Sequence, residues 1–521
     1  MLTVVGFAVA VLGCVILASL LEHRTGLPAA VVLVVIGLVN GLLPGPNVTL
    51  DPQLVLVLIL PPLLYSAALN ASLLEIRANI RPVVSLSVLL VLLTALLTGA
   101  AVAAAVPALP LAAGLALGAA VAPPDPVAAL AIGRRAGLPP RLLTLVEGEG
   151  LLNDATALTA FEVAVAATQG ESFSLAAAGG RFVVAAAGGV AVGLAMAWLI
   201  AQVRRRIDEP LQDNALSLAT PFLVYVLAEE VHVSGILAVV VAGLWLGHQA
   251  PLLLSSASRL QTRAVWRLVD FLLEGAVFLL IGNQLPAVLS GLESYSPQAI
   301  ASASVASVAA VLLARPLWLA VSFWLPDRLL RRGTSMMLSG PELLALTWAG
   351  TRGIISLAAV FTLPLDFPFR DLLLFCAYIV VLATLVGQGG TFNIFVRMLG
   401  MRSDRTEELR VWSAARTAAV DAGVHRLDEL TAEQPDLADV AELLRRRAAE
   451  REQLGSEWVR RLGGGVSSDS DTPAAQAVRL RRQMIDAERE ELLRWRDAGR
   501  LPDAGLRALE RELDHEEGLL P

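Results

Sequence analysis

The sequence predicts an all-α polytopic membrane protein: about 13 transmembrane helices, laid out as two six-helix inverted repeats with two broken helices, and a helical cytoplasmic tail. Three observations carry this expectation. The 521 residues are 56% hydrophobic with a mean hydropathy of +0.66, too apolar for a soluble domain of this size. Apolar runs of roughly 20 residues, the length that spans a bilayer, recur as far as Met398. Arginines fall in alternate gaps between those runs.

In chain order the runs lie at 1–21, 27–43, 51–70, 80–106, 108–135, 139–167, 182–203, 214–230, 232–248, 265–285, 298–324, 337–363 and 370–399. The first has no basic residue before it and no clear small-residue cleavage site, so it reads as a span and not as a removed signal peptide. The chain has no lysine, and all 40 basic residues are arginine. Arg24, Arg77 and Arg81, then Arg134, Arg135 and Arg141, mark successive alternate gaps. Arg204 to Arg206, Arg259, Arg263 and Arg267, and Arg328, Arg331 and Arg332 continue the series. The gaps 44–52, 104–110 and 286–297 carry none, and Arg181 and Arg370 are exceptions beside span ends. The positive-inside rule then puts the N-terminus outside, the tail in the cytoplasm and an odd number of spans between them, in a plasma (inner) membrane.

The transmembrane domain is expected over 1–401 and the tail over 402–521. Arg, Glu, Ala and Leu recur in the tail at helical spacing, and the Gly-Ser-Asp stretch 463–473 reads as a flexible linker. The tail holds 26 acids against 20 arginines, which accounts for most of the net charge of −7. Cys14 and Cys376 fall inside predicted spans, and the five histidines lack metal-ligand spacing. No resident cofactor, no nucleic-acid partner and no enzymatic activity are expected.

Two spans contain helix breakers. The fifth is interrupted by Pro123, Pro124 and Pro126, and the twelfth by Gly350 to Gly353. Irregular backbone at membrane depth is tolerated only beside a cavity or within protein. Interruptions at matching places in two halves point to inverted repeats around a central site.

The acids concentrate at these places. Asp125 lies between Pro124 and Pro126, and Glu147, Glu149 and the pair Asn153-Asp154 follow in the next span. A carboxylate buried in lipid is stable either protonated or paired with a cation, because desolvation penalises the bare charge. Asp154 is expected to be that group. Carbonyls freed by the prolines, with Asp125 and Asp154, offer the oxygens that Na+ favours, and Asn153 adds a neutral amide. Arg352, taken as the only basic residue at the centre of an apolar span, is expected to pair with Glu149 as structural support. Tyr65 and Ser66 are expected to line the cavity opposite Asp154. Asp270 and Glu274 share a helix face as a cavity wall or dimer contact, Ser234 lies near a helix start, and Glu229, Glu230 and His232 fall at the outer surface.

Five ordered segments resemble monovalent cation:proton antiporters, the group of bacterial NhaP-type sodium/proton antiporters and animal sodium/hydrogen exchangers. They are Pro61 to Tyr65, Pro124 to Ala128, Glu147 to Leu158, Ser234 to Ala238 (with Ala228-Glu229 before it) and Trp348 to Ala358. The resemblance implies a homodimer, two crossed broken helices and elevator-like alternating access. It implies ion and proton binding at Asp154 with Asp125 and Asn153 beside it, Na+ (or Li+ or K+) as substrate, and a Glu149–Arg352 core pair. Asn before Asp implies electroneutral exchange. Gly150 stands where a serine often sits, Pro124 where threonine is frequent, and Ser66 where some members carry an acid. Glu274 occupies a place where an amide or apolar residue is expected. A K+/H+ antiporter, and a transport-inactive ion or pH sensor acting through a tail-bound regulatory partner, are the alternatives. An intramembrane enzyme using Asp125 and Asp154 as an acid/base pair lacks a nucleophile or metal site to support it.

Overall fold

The computed structural model describes residues 2–25, 29–43, 55–126, 129–130, 133, 138–170, 175–207, 209–324, 338–401, 406–434, 438–449, 473–498, 500, 505–506, 509–510 and 513–514. No strand occurs among them. The chain forms two compact units, Met1–Arg402 and Ser403–Pro521.

In the first unit the chain opens with α1 (Leu2–Thr25), α2 (Ala29–Leu42), α3 (Leu60–Asn70) and a short α4 (Leu73–Ala78). Then come α5 (Ile80–Ala105), α6 (Leu111–Val121), α7 (Pro140–Thr168) and α8 (Leu175–Arg204). They are followed by α9 (Pro210–Glu230), α10 (Gly235–Leu253), α11 (Ser256–Ser290) and α12 (Pro297–Leu319). The unit closes with α13 (Gly340–Trp348), α14 (Ile354–Phe361) and α15 (Arg370–Met398).

The starts of these helices follow local chemistry. Pro140, Pro210 and Pro297 occupy first-turn positions, where a missing N–H costs nothing. Ser234, Ser255 and Ser296 accept hydrogen bonds from the first turns of α10, α11 and α12. Ser339 and Glu342 form a capping box on α13. Among the described residues, Ile80–Ala105, Phe182–Arg204, Gly235–Leu253, Pro297–Ser322 and Arg370–Met398 are long and apolar enough to cross a membrane. The long helices α7, α9 and α11 carry acids, among them Asp154, Asp213 and Asp270.

Packing divides the first unit into two helix groups. In one, α2 packs along α11, α3 and α8 pack on α10, and α9 packs on α10 and α11. In the other, α5 packs on α6 and α12, α6 on α7, and α15 on α12 and α14. We call these the scaffold and the core. Helix α7 bridges them, with Leu151 and Ala155 against Leu64 and Ala68 of α3 and Ile236 of α10. Glycine makes the closest approaches. A Cβ at Gly282 of α11 would lie 2.0 Å from the Val34 carbonyl of α2, and one at Gly118 of α6 would lie 2.2 Å from the Ala95 carbonyl of α5.

The second unit contains α16 (Thr406–Glu433) and α17 (Pro473–Asp497). Exposed ion pairs run along it, including Arg445–Asp428 at 2.6 Å and Arg489–Asp514 at 2.5 Å. Pairs of this kind in water contribute little to stability, of order 0–1 kcal/mol each. Of the expected linker, 463–472 lies outside the described residues, as do Arg134, Arg135, Arg328, Arg331 and Arg332, and Pro473 begins α17.

Gly282→Ala is expected to force α2 and α11 apart and to destabilise the first unit by about 1–3 kcal/mol. Gly13→Ala, where nothing lies within 4 Å, is the matched control and should not lower stability. Thermal melting of the two variants in detergent checks this.

Candidate ion site at the interrupted helices

The site begins where two helices stop. Helix α6 ends at Val121, and residues 122–126 lie outside a helix because the three prolines supply no N–H and block continuation. Helix α13 ends at Trp348, and α14 resumes at Ile354 after Gly350 to Gly353. The two unwound segments satisfy each other. Asp125 donates its backbone N–H to the Thr351 carbonyl at 2.7 Å, and the Thr351 hydroxyl donates to the Asp125 carbonyl at 2.8 Å. A Cβ at Gly353 would fall 1.9 Å from an Asp125 carboxylate oxygen, so only glycine fits there.

Arg352 lies in this junction and is 2% exposed. Its Nε donates to the Val121 carbonyl at 2.7 Å and its Nη1 to the Gly350 carbonyl. Its own N–H donates to the Thr384 hydroxyl on α15 at 3.0 Å. The guanidinium therefore sits where α6 leaves carbonyls without helical partners and where the helix dipole is negative.

Helix α7 brings the remaining groups. Asn153 is fully buried, and its amide nitrogen donates to the Pro124 carbonyl at 2.8 Å. The Asn153 amide oxygen has no hydrogen-bond partner. Asp154, 4% exposed, is in electrostatic contact with Asp125. The junction thus gathers two carboxylates and an amide oxygen, the last without a hydrogen-bond partner. Such a set can hold a small hard cation or a proton, and a buried bare charge disfavours holding neither.

The structure corrects the expected ion pair. Glu149 does not pair with Arg352. Its carboxylate takes a two-pronged contact from Arg315 of α12, at 2.5 and 2.8 Å. Arg315 Nε also donates to the Leu346 carbonyl at 2.7 Å, which ties α7, α12 and the end of α13 together. Both ionic side chains are almost fully buried. Arg315 lies within the apolar run 298–324, so Arg352 is not alone among basic residues inside the spans. The fork of a guanidinium fits a carboxylate bidentately, and Arg352 is already committed to carbonyls.

Tyr65 is also placed differently from the expectation. It is buried in the scaffold against Trp266, ring centroids 5.3 Å apart, and the face of α3 that meets α7 carries Leu64 and Ala68 instead. Ser66 donates to Asp270 of α11 at 2.6 Å. Glu274, one turn further along α11, lies near enough to Asp125 and Asp270 for their charges to interact. A Cβ at Gly150 would lie 2.3 Å from the Pro126 ring, so the proline fills the place a side chain would need. At the other end of α7, Glu162 is in electrostatic contact with Glu229, which accepts the Gly235 N–H at 3.2 Å. Thr351, Arg315 and Glu162 were missed by sequence reasoning. An arginine within an apolar run was a readable signal, whereas a threonine beside an arginine carries none.

Glu149→Gln is expected to strand Arg315 as an uncompensated buried charge and to destabilise the first unit by about 3–5 kcal/mol. Replacing both, Glu149→Leu with Arg315→Met, should recover much of that loss. Melting temperatures in detergent check both, and an Arg352 pairing would instead leave the double variant as unstable as the single one.

Residues 9–398 match the family described as sodium/hydrogen exchanger, transmembrane. An uncharacterized Na(+)/H(+) exchanger of Mycobacterium tuberculosis is 34% identical, over 98% of this chain and 95% of its own length. A sodium, potassium, lithium and rubidium/H(+) antiporter of Bacillus subtilis is 30% identical over 69% of this chain, which matches 56% of that protein. Among solved structures, the sodium proton antiporter MjNhaP1 from Methanocaldococcus jannaschii shares the fold, with a TM-score of 0.62 at 19% identity, over 76% of this chain and all of that one. With the match running through both helix interruptions and the acids of α7, this chain belongs to the sodium/hydrogen exchanger family.

Proposed function

We propose that the protein is a secondary active antiporter that exchanges a monovalent cation, Na+ or alternatively Li+ or K+, for H+ across the plasma (inner) membrane. The observation that carries the reading is the buried Asp154 beside the unpartnered amide oxygen of Asn153, at the junction of two interrupted helices. Asp154 binds cation and proton in turn. Asp125 adds charge and Asn153 adds oxygen. One titrating acid carries one charge in either direction, so the exchange is electroneutral. The cation-transporting relatives support this choice of substrate.

In this reading the interrupted spans cross as the centres of two inverted repeats. The core moves against the scaffold to expose the site to each side in turn, and two copies associate as a homodimer. Residues 1–401 form the transmembrane antiporter domain, with the N-terminus outside. The arginine-alternate side and residues 402–521 face the cytoplasm, where the tail binds a regulatory partner. Glu149 and Arg315 hold the core together without taking part in exchange.

Protein in liposomes with an imposed pH gradient should dissipate it when Na+ is added. Asp154→Asn, which keeps the shape and loses the titrating group, should lower that rate to the level of empty liposomes. Unchanged exchange in this variant would remove Asp154 from the mechanism. Binding of cations without dissipation, in folded protein, would favour the sensor instead. Deleting residues 403–521 should leave exchange measurable in the same assay, because every group proposed to handle ions lies in the first unit.

A further inference from the structure

One residue holds both backbone polar groups of Asp125. The Thr351 carbonyl accepts the Asp125 N–H at 2.7 Å, and the Thr351 hydroxyl donates to the Asp125 carbonyl at 2.8 Å. Covalent geometry adds to this hold, because Pro126 restricts the residue before it to extended conformations and Pro124 fixes its own φ. The Asp125 carboxylate has little room either. One of its oxygens lies 1.9 Å from the point that a Cβ at Gly353 would occupy, so it rests against bare backbone.

Thr351 is itself anchored. It is 3% exposed, and its methyl lies 3.4 Å from the point that a Cβ at Gly389 of α15 would occupy. The next residue, Arg352, donates its N–H to Thr384 of α15 and its Nε to the Val121 carbonyl at the end of α6. The segment that grips Asp125 is therefore fastened to two other helices. Within the grip, the backbone bond survives any substitution. The hydroxyl is the one part that a side chain encodes, and its single proton goes to the Asp125 carbonyl.

We infer that Thr351 is a positioning residue of the cation site, acting through Asp125; this rests on the antiport reading. By fixing the Asp125 backbone at both its polar groups, Thr351 presets where the carboxylate stands relative to a cation held at Asp154. A charge already in place needs no ordering when the ion arrives, so affinity is gained without a further ligand. Attraction between charges in a low-dielectric site falls steeply with separation, so a looser Asp125 weakens binding. The exchange itself, carried by Asp154, is affected less.

Dissipation of a pH gradient in liposomes over a range of Na+ concentrations tests this. Thr351→Val keeps the shape and loses the hydroxyl, and it should raise KM for Na+ roughly tenfold while kcat stays within about threefold. Thr351→Ser keeps the hydroxyl and loses the methyl, and it should show the KM of the wild type. A hydroxyl with a merely structural role would lower the melting temperature of Thr351→Val without moving KM, and a wild-type KM in that variant would overturn the proposal. A tenfold higher KM in Thr351→Ser would assign the effect to methyl packing and overturn it equally, even if the valine variant does not fold. Absence of exchange in wild-type liposomes would instead count against the antiport reading. Calorimetric titration of Na+ into detergent-solubilised protein then decides the present proposal: it requires weaker binding in Thr351→Val than in wild type, and equal titrations would overturn it.

Discussion

The arrangement depends on two unwound helix segments completing each other's hydrogen bonding. In a bilayer no water is present to satisfy free N–H and C=O groups, so an interrupted span is viable only where protein supplies the missing partners. Here Asp125 and Thr351 exchange two hydrogen bonds across the break, Arg352 covers the carbonyl end of α6, and Asn153 takes the Pro124 carbonyl. Each of these contacts joins segments distant in sequence. Together they hold the Asp125 carboxylate against Gly353 and bring Asp154 beside it.

The same constraint separates Arg315 and Arg352, the two arginines buried in the core. Arg352 neutralises backbone dipoles and has no carboxylate of its own, whereas Arg315 meets the one carboxylate of α7 that is fixed by a fork of two hydrogen bonds. Of the two α7 acids Glu149 and Asp154, it is Glu149 that is tied to a guanidinium. A group locked in a salt bridge cannot trade a proton for a cation, and a group whose counter-ion is the substrate can. The difference between Glu149 and Asp154, five residues apart on one helix, is set by which neighbouring helix each one faces.

Much of the architecture is readable in the residues, for physical reasons that also mark where reading stops. Prolines 123, 124 and 126 block helical continuation and glycines 350 and 353 weaken it through their backbone freedom, so the two interruptions were legible. Burial of Asn153 and Asp154 follows from the apolar run around them. Pairing was not legible: Glu149 had two arginines within reach in principle, and only the packing of α12 against α7 and α13 decides for Arg315. The facing of Tyr65 was hidden for a similar reason. One position of rotation on α3 separates the surface against α7 from the surface against Trp266. The roles of Glu274 and Ser66, on the scaffold side of the site, also rest on contacts between helices that no local pattern encodes.

The central claim is that one carboxylate in this junction holds either a proton or a cation. Calorimetric titration of Na+ into the purified protein across a pH series addresses it most directly. Competition at a single acid requires the apparent dissociation constant to rise about tenfold for each unit the pH falls below the pKa of the site, and to level off above it. An affinity for Na+ that does not change with pH over a range in which the protein stays folded would contradict the account.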